Sequence, residues 1–141
     1  MSERLLIVGE DFGEVDDEYR TDLLALTGQS GKRLATLMGV DLLTFVERTD
    51  RMNLVSCPSD WKDRGAVIIG GAKVLRAMRG RRALILGHRV TDTLGLRPTL
   101  FTWTEGYGCV YAVIPHTSGR NRFYNTQENV EIARKFLRGL L

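Results

Sequence analysis

The sequence predicts a three-layer α/β/α sandwich with a mainly parallel, four-stranded central sheet. Short apolar runs bounded by polar or glycine residues recur along the chain, the pattern of strands buried on both faces. Helical stretches fall between those runs, which is the alternation of a parallel sheet covered on each side. Glycines follow three of those stretches closely, at Gly39, Gly80 and Gly95, where a helix gains from a residue free to turn left-handed.

The four expected strands are Leu5–Val8, Met52–Val55, Ala83–Leu86 and Cys109–Ile114, with Thr99–Thr102 as a weaker edge candidate. The expected helices run over Lys32–Met38, Gly65–Met78, Arg89–Leu94 and Thr126–Leu140. In the last of these, Val130, Ala133, Phe136, Leu137 and Leu140 fall on one stripe, and Asn125 with Glu128 forms a capping box at its start. No repeat, low-complexity tract or linker interrupts the pattern, so residues 1–141 read as one domain.

Hydrophobic content of 43% and charged content of 26% are those of a globular protein. No apolar run approaches the roughly 18 residues of a membrane span. Met1-Ser2-Glu3-Arg4 leads directly into the first strand, so no signal peptide is expected and the expected location is cytoplasmic. The net charge of +3 is unevenly spread. Residues 1–60 hold 12 acidic and 6 basic side chains, and residues 61–141 hold 5 and 14. The basic part includes Arg76, Arg79, Arg81, Arg82, Arg89 and Arg97. A one-sided positive surface of this kind is the footprint of a phosphate-backbone partner.

One stretch concentrates the chemistry: Pro115-His116-Thr117-Ser118-Gly119-Arg120-Asn121-Arg122, directly after the last strand. Ligands of open α/β sheets bind beyond the carboxyl ends of the strands. There His116 can donate to a developing anion. Gly119 lets backbone N–H groups approach a phosphate, and Arg120 and Arg122 can neutralise one. The bland alternative is a loop of turn formers with solvated arginines.

That stretch resembles the second signature of the uracil-DNA glycosylase superfamily, usually written His-Pro-Ser followed by Gly, Pro or Ala. The family's first signature is a Gly-Gln-Asp-Pro or Gly-Glu-Ala-Pro-Gly loop after the first strand. Gly9-Glu10-Asp11-Phe12-Gly13-Glu14 stands in that place, and the layout between the two loops also fits. The resemblance therefore spans nearly the whole chain. It implies a uracil-DNA glycosylase-like fold and excision of a flipped, uracil-like or modified pyrimidine from DNA by hydrolysis of the N-glycosidic bond.

The same resemblance implies roles. Asp11, matching the aspartate of one form of the loop, orients water or balances the sugar cation, with Glu10 next in line as the glutamate of the other form. Gly9, Phe12 and Gly13 complete that loop around the base. Asn53 reads the pyrimidine edge, since an amide can both donate and accept. His116 hydrogen-bonds the pyrimidine carbonyl as charge develops on it. Ser118 and Gly119 hold a phosphate beside the flipped nucleotide, and Arg120, Asn121 and Arg122 meet the DNA backbone.

Some branches of the family carry an iron–sulfur cluster. Cys57 sits where they place one ligand, but the only other cysteine is Cys109, so neither cluster nor other cofactor nor metal is expected, and Cys57 reads as a small buried residue. The chain also departs from the motifs. Phe12 and Thr117 replace prolines, and Leu26, in Leu26-Thr27-Gly28-Gln29-Ser30-Gly31, stands where the family has a stacking phenylalanine. Phe12 or Tyr19 can supply stacking instead. Two alternatives to excision follow: a non-hydrolytic protein of this fold that binds DNA or a nucleotide, and one that modifies a (hyper)modified pyrimidine in DNA.

Overall fold

The computed structural model describes residues 4–13, 18, 20–97 and 99–141. Tyr19, and Glu14, Asp16 and Asp17 of the acidic stretch, lie outside the described residues. Five strands form one mixed sheet, in the order β2-β1-β3-β5-β4. They are β1 (Leu5–Gly9), β2 (Thr49–Asn53), β3 (Arg82–Leu86), β4 (Thr104–Gly106) and β5 (Cys109–Ile114). The first, second, third and fifth are parallel, and β4 runs antiparallel to β5 along one margin. The expected four-stranded sheet is thus corrected to five strands.

Side-chain alternation along the strands divides the core in two. Leu5, Ile7, Leu84, Leu86, Ala112 and Ile114 pack on one face with α1 (Gln29–Met38), α2 (Leu42–Arg48) and α5 (Gln127–Leu137). Leu6, Val8, Ala83, Ile85, Tyr111 and Val113 pack on the other with α3 (Arg64–Met78) and α4 (His88–Leu94). Each large apolar side chain fully buried in this way stabilises the fold by about 1.5–3 kcal/mol. Helices therefore cover both sheet faces, as the buried apolar runs require.

Four local differences from expectation have physical reasons. The second strand begins three residues earlier, at Thr49. Its polar run is accommodated because buried Arg51 donates through Nε to Ala25 O (2.9 Å) and through Nη1 to Val46 O (2.9 Å) and Thr49 O (3.0 Å). Helix α2 is too short for periodicity to reveal it; Asp41 caps it, accepting from Thr44 N at 2.8 Å. At the margin, Thr99–Thr102 contributes only a bridge from Leu100 to Val113, while β4 turns into β5 through Tyr107 (φ 54°) and Gly108 (φ 76°). Two positive φ values in succession suit a tight hairpin, but Tyr-Gly advertises it poorly. Finally, Thr126 rather than Asn125 caps α5, its side chain accepting from Asn129 N, and the helix ends at Leu137.

Candidate active site

The four parallel strands all end at one side of the sheet, and there a cleft of about 880 Å³ opens. Glu10 and Asp11 enter it after β1, Asn53 at the end of β2, and His116 after β5. Strand β3 lies between β1 and β5, and its contribution is Gly87 (φ 89°). A Cβ at Gly87 would stand 3.1 Å from Glu10 Oε2 and 3.4 Å from His116 Cβ. A residue without a side chain here is what lets the acid and the imidazole share one space.

Asp11 is held from two sides. Its Oδ1 accepts from Gly13 N at 2.8 Å, in a turn where Gly13 has φ 74°, and its Oδ2 accepts from Trp61 Nε1 at 3.0 Å. Arg89 lies over the Trp61 ring, 4.4 Å from its centroid, and lines the cleft as well. Glu10 differs: no hydrogen bond engages its carboxylate among the described residues.

His116 is half-buried. Ser118 N donates to its Nδ1 at 3.0 Å, so the neutral ring carries its proton on Nε2 and can donate from there. Burial pushes the imidazole below its ordinary 6.5, although the Glu10 and Asp11 carboxylates act in the opposite direction. The loop around it is pinned from behind. Tyr124 Oη donates to Pro115 O (2.6 Å), Thr117 Oγ1 to Ser30 O (2.9 Å) and Arg33 Nη1 to Ser118 O (3.0 Å). Thr117 is fully buried and ties the loop to the first turn of α1.

Asn53 pairs with Gly9 across β1 and β2. Its Oδ1 is buried and has no hydrogen-bond partner among the described residues, a state that favours any ligand able to donate to it. A Cβ on Gly9 would collide with that oxygen and press on Leu26. Leu26 itself adopts φ 58°, unusual for a branched side chain, and lines the cleft, as does Phe12. Left-handed backbone at such a residue is strain of the kind that concentrates at functional sites.

Of the expected site residues, Glu10, Asp11, Phe12, Gly13, Leu26, Asn53, His116, Ser118 and Arg120 line this cleft, and Gly9 lies beneath Asn53. Three are placed elsewhere. Gly119 lines a second cavity, of about 480 Å³. Asn121 spends its side chain on a turn, accepting from Phe123 N at 2.9 Å. Arg122 is exposed and away from the cleft lining. Sequence reasoning missed Trp61, Gly87 and, as a cleft residue, Arg89. Only Gly87, directly after an apolar strand, carried a local signal.

Two further expectations change. Cys57 is half-buried rather than buried, at the start of a short turn where its N–H donates to Asp60 Oδ2 (3.0 Å). The basic half of the chain does not form one surface with the cleft. Arg79, Arg81 and Arg82 lie before or at the start of β3, at the opposite end of a strand about 17 Å long, and Arg81 is engaged by Asp50 Oδ2 at 2.6 Å.

Among the described residues, no three His, Cys, Asp or Glu side chains gather as metal ligands, and no helix is long and apolar enough to cross a membrane. No protein-family model matches this chain, and no curated protein matches it.

Proposed function

We propose that the protein is a DNA glycosylase, similar to the uracil-DNA glycosylase superfamily, that takes a flipped uracil-like or modified pyrimidine into the cleft and hydrolyses its N-glycosidic bond. The observation that carries this reading is the meeting of Glu10, Asp11, Asn53 and His116 in one cleft from three strand ends. In the reaction, the bond between base nitrogen and sugar C1′ breaks, its electron pair stays with the base, and water adds to C1′. His116 donates from Nε2 to the pyrimidine carbonyl, a bond that strengthens as the base becomes an anion. Asn53 offers Oδ1, which has no partner among the described residues, to a ring N–H of the base.

The two acids divide the remaining work. Asp11, fixed by Gly13 and Trp61, supplies stationary negative charge against the sugar cation. Glu10, free of such bonds and next to His116, orients the water and takes its proton. A binding or base-modifying protein is the second reading, favoured by the engagement of both Asp11 oxygens and by Leu26 in place of an aromatic.

The test is single-turnover excision on DNA carrying uracil, thymine mispairs or modified pyrimidines. Glu10→Gln and His116→Ala should each slow excision about 100- to 1000-fold, the range for removing one preorganised electrostatic group, with DNA binding retained. No excision of any of these bases by the unaltered protein, with pyrimidine DNA still bound, hands the argument to the second reading.

A further inference from the structure

Successive residues of the His116 loop face two different spaces. Ser118 and Arg120 line the cleft, whereas Thr117 and Gly119 line the second cavity, between α1 and α5. We propose that this second cavity is a phosphate-binding site. Lys32, Arg33 and Arg134 surround it with Gln29, and among the described residues no carboxylate lines it. Like charges brought together around an empty space repel, and a tetrahedral oxyanion between them relieves that repulsion while accepting their N–H bonds.

The cations are also prepared for it. Arg33 is set in place by its bond to Ser118 O and by the Tyr124 ring, 5.6 Å from its guanidinium carbon, with further N–H groups to offer. Lys32 forms no ion pair among the described residues, and Arg134 meets only Glu131, at 3.1 Å on the exposed surface. At Gly119 nothing stands within 4 Å of where a Cβ would be, so a phosphate oxygen can reach the backbone. An anion bound here touches the loop that presents His116 on its other side.

The site does not rest on the glycosylase reading, but the source of its phosphate does: a DNA strand crossing the loop supplies a diester, and a small phosphate-bearing molecule supplies the alternative. Amide NMR titration with inorganic phosphate, and separately with a short single-stranded oligonucleotide, distinguishes them. Saturable shifts at Gly119 and Thr117 are expected. In Lys32→Glu and in Arg134→Gln the affinity should fall at least about tenfold, as for loss of a charge-assisted bond. Arg138→Glu, an exposed charge reversal outside the cavity, should leave it unchanged. Tighter binding of the oligonucleotide assigns the nucleic-acid backbone, and tighter binding of inorganic phosphate assigns the small molecule. Absence of saturable shifts with both probes, or an equal loss in Arg138→Glu, overturns the site. Neither readout uses excision, so failure of the cleft chemistry and failure of this site are told apart.

Discussion

Trp61 Nε1 donates to Asp11 Oδ2 across 3.0 Å, joining residues fifty positions apart in the chain. The indole is itself held between this carboxylate and the Arg89 guanidinium above its ring. Asp11 thus owes part of its orientation to a side chain from a different strand's connection, beside the bond it accepts from Gly13 N.

Replacing Trp61 by phenylalanine keeps a ring under Arg89 and deletes the N–H. A hydrogen bond to a charged group contributes about 1.5–3 kcal/mol, and on the proposed mechanism part of that is spent holding Asp11 against the sugar cation. Single-turnover excision should fall about tenfold, with DNA affinity nearly unchanged. A rate equal to that of the unaltered protein would show that Gly13 alone suffices to fix the carboxylate.

The lowered pKa of His116 has a definite pH signature. The neutral ring, which donates from Nε2, persists below its ordinary 6.5. The unfolded chain, with an ordinary imidazole, binds more protons as the pH drops past that value. The stability this group contributes is therefore intact above about 6.5 and is lost as pH falls through the lowered folded pKa. Proton NMR of the imidazole should place the His116 midpoint under 6.5. In Glu10→Gln it should fall further, because a neighbour that favours the charged ring has gone. A midpoint that rises in Glu10→Gln contradicts the proximity of the two groups.

Gly9→Ala tests the pairing at the cleft floor. The added methyl collides with Asn53 Oδ1 and crowds Leu26, so urea denaturation should report a loss of about 1–3 kcal/mol, the usual range for overpacking. On the proposed function, binding of free uracil should weaken with it. Gly71→Ala, inside α3 where an added Cβ meets only ordinary contacts at 3.6 and 3.7 Å, is the control and should be neutral or slightly stabilising.

Much of the fold was legible where burial is two-sided. Strands β1, β3 and β5 announce themselves as apolar runs, and the bounds of β5 coincide with those read from sequence. Strand β2 hid its start because Thr49, Asp50 and Arg51 look like loop residues; the backbone carbonyls that satisfy Arg51 come from elsewhere in the fold. The motif residues of the cleft were legible because parallel strands bring their carboxyl ends together. Trp61 and Arg89 were not, since their place depends on how the short turn Pro58–Lys62 and α4 settle over the β1 loop. That Gly119 lines the second cavity while Ser118 lines the cleft was not legible either, because a sequence does not disclose to which side of a loop each residue turns.

Arg51 has a wider consequence. Through Nε it fastens Ala25 to β2, and the short turn Asp22–Leu24 packs against the same strand. The outermost strand on that side is thereby tied to a segment of chain that a neighbouring copy would have to dislodge or avoid. On the opposite margin β4 offers only three residues, too short a border to serve well as a template for edge-to-edge association between copies and the aggregation it starts.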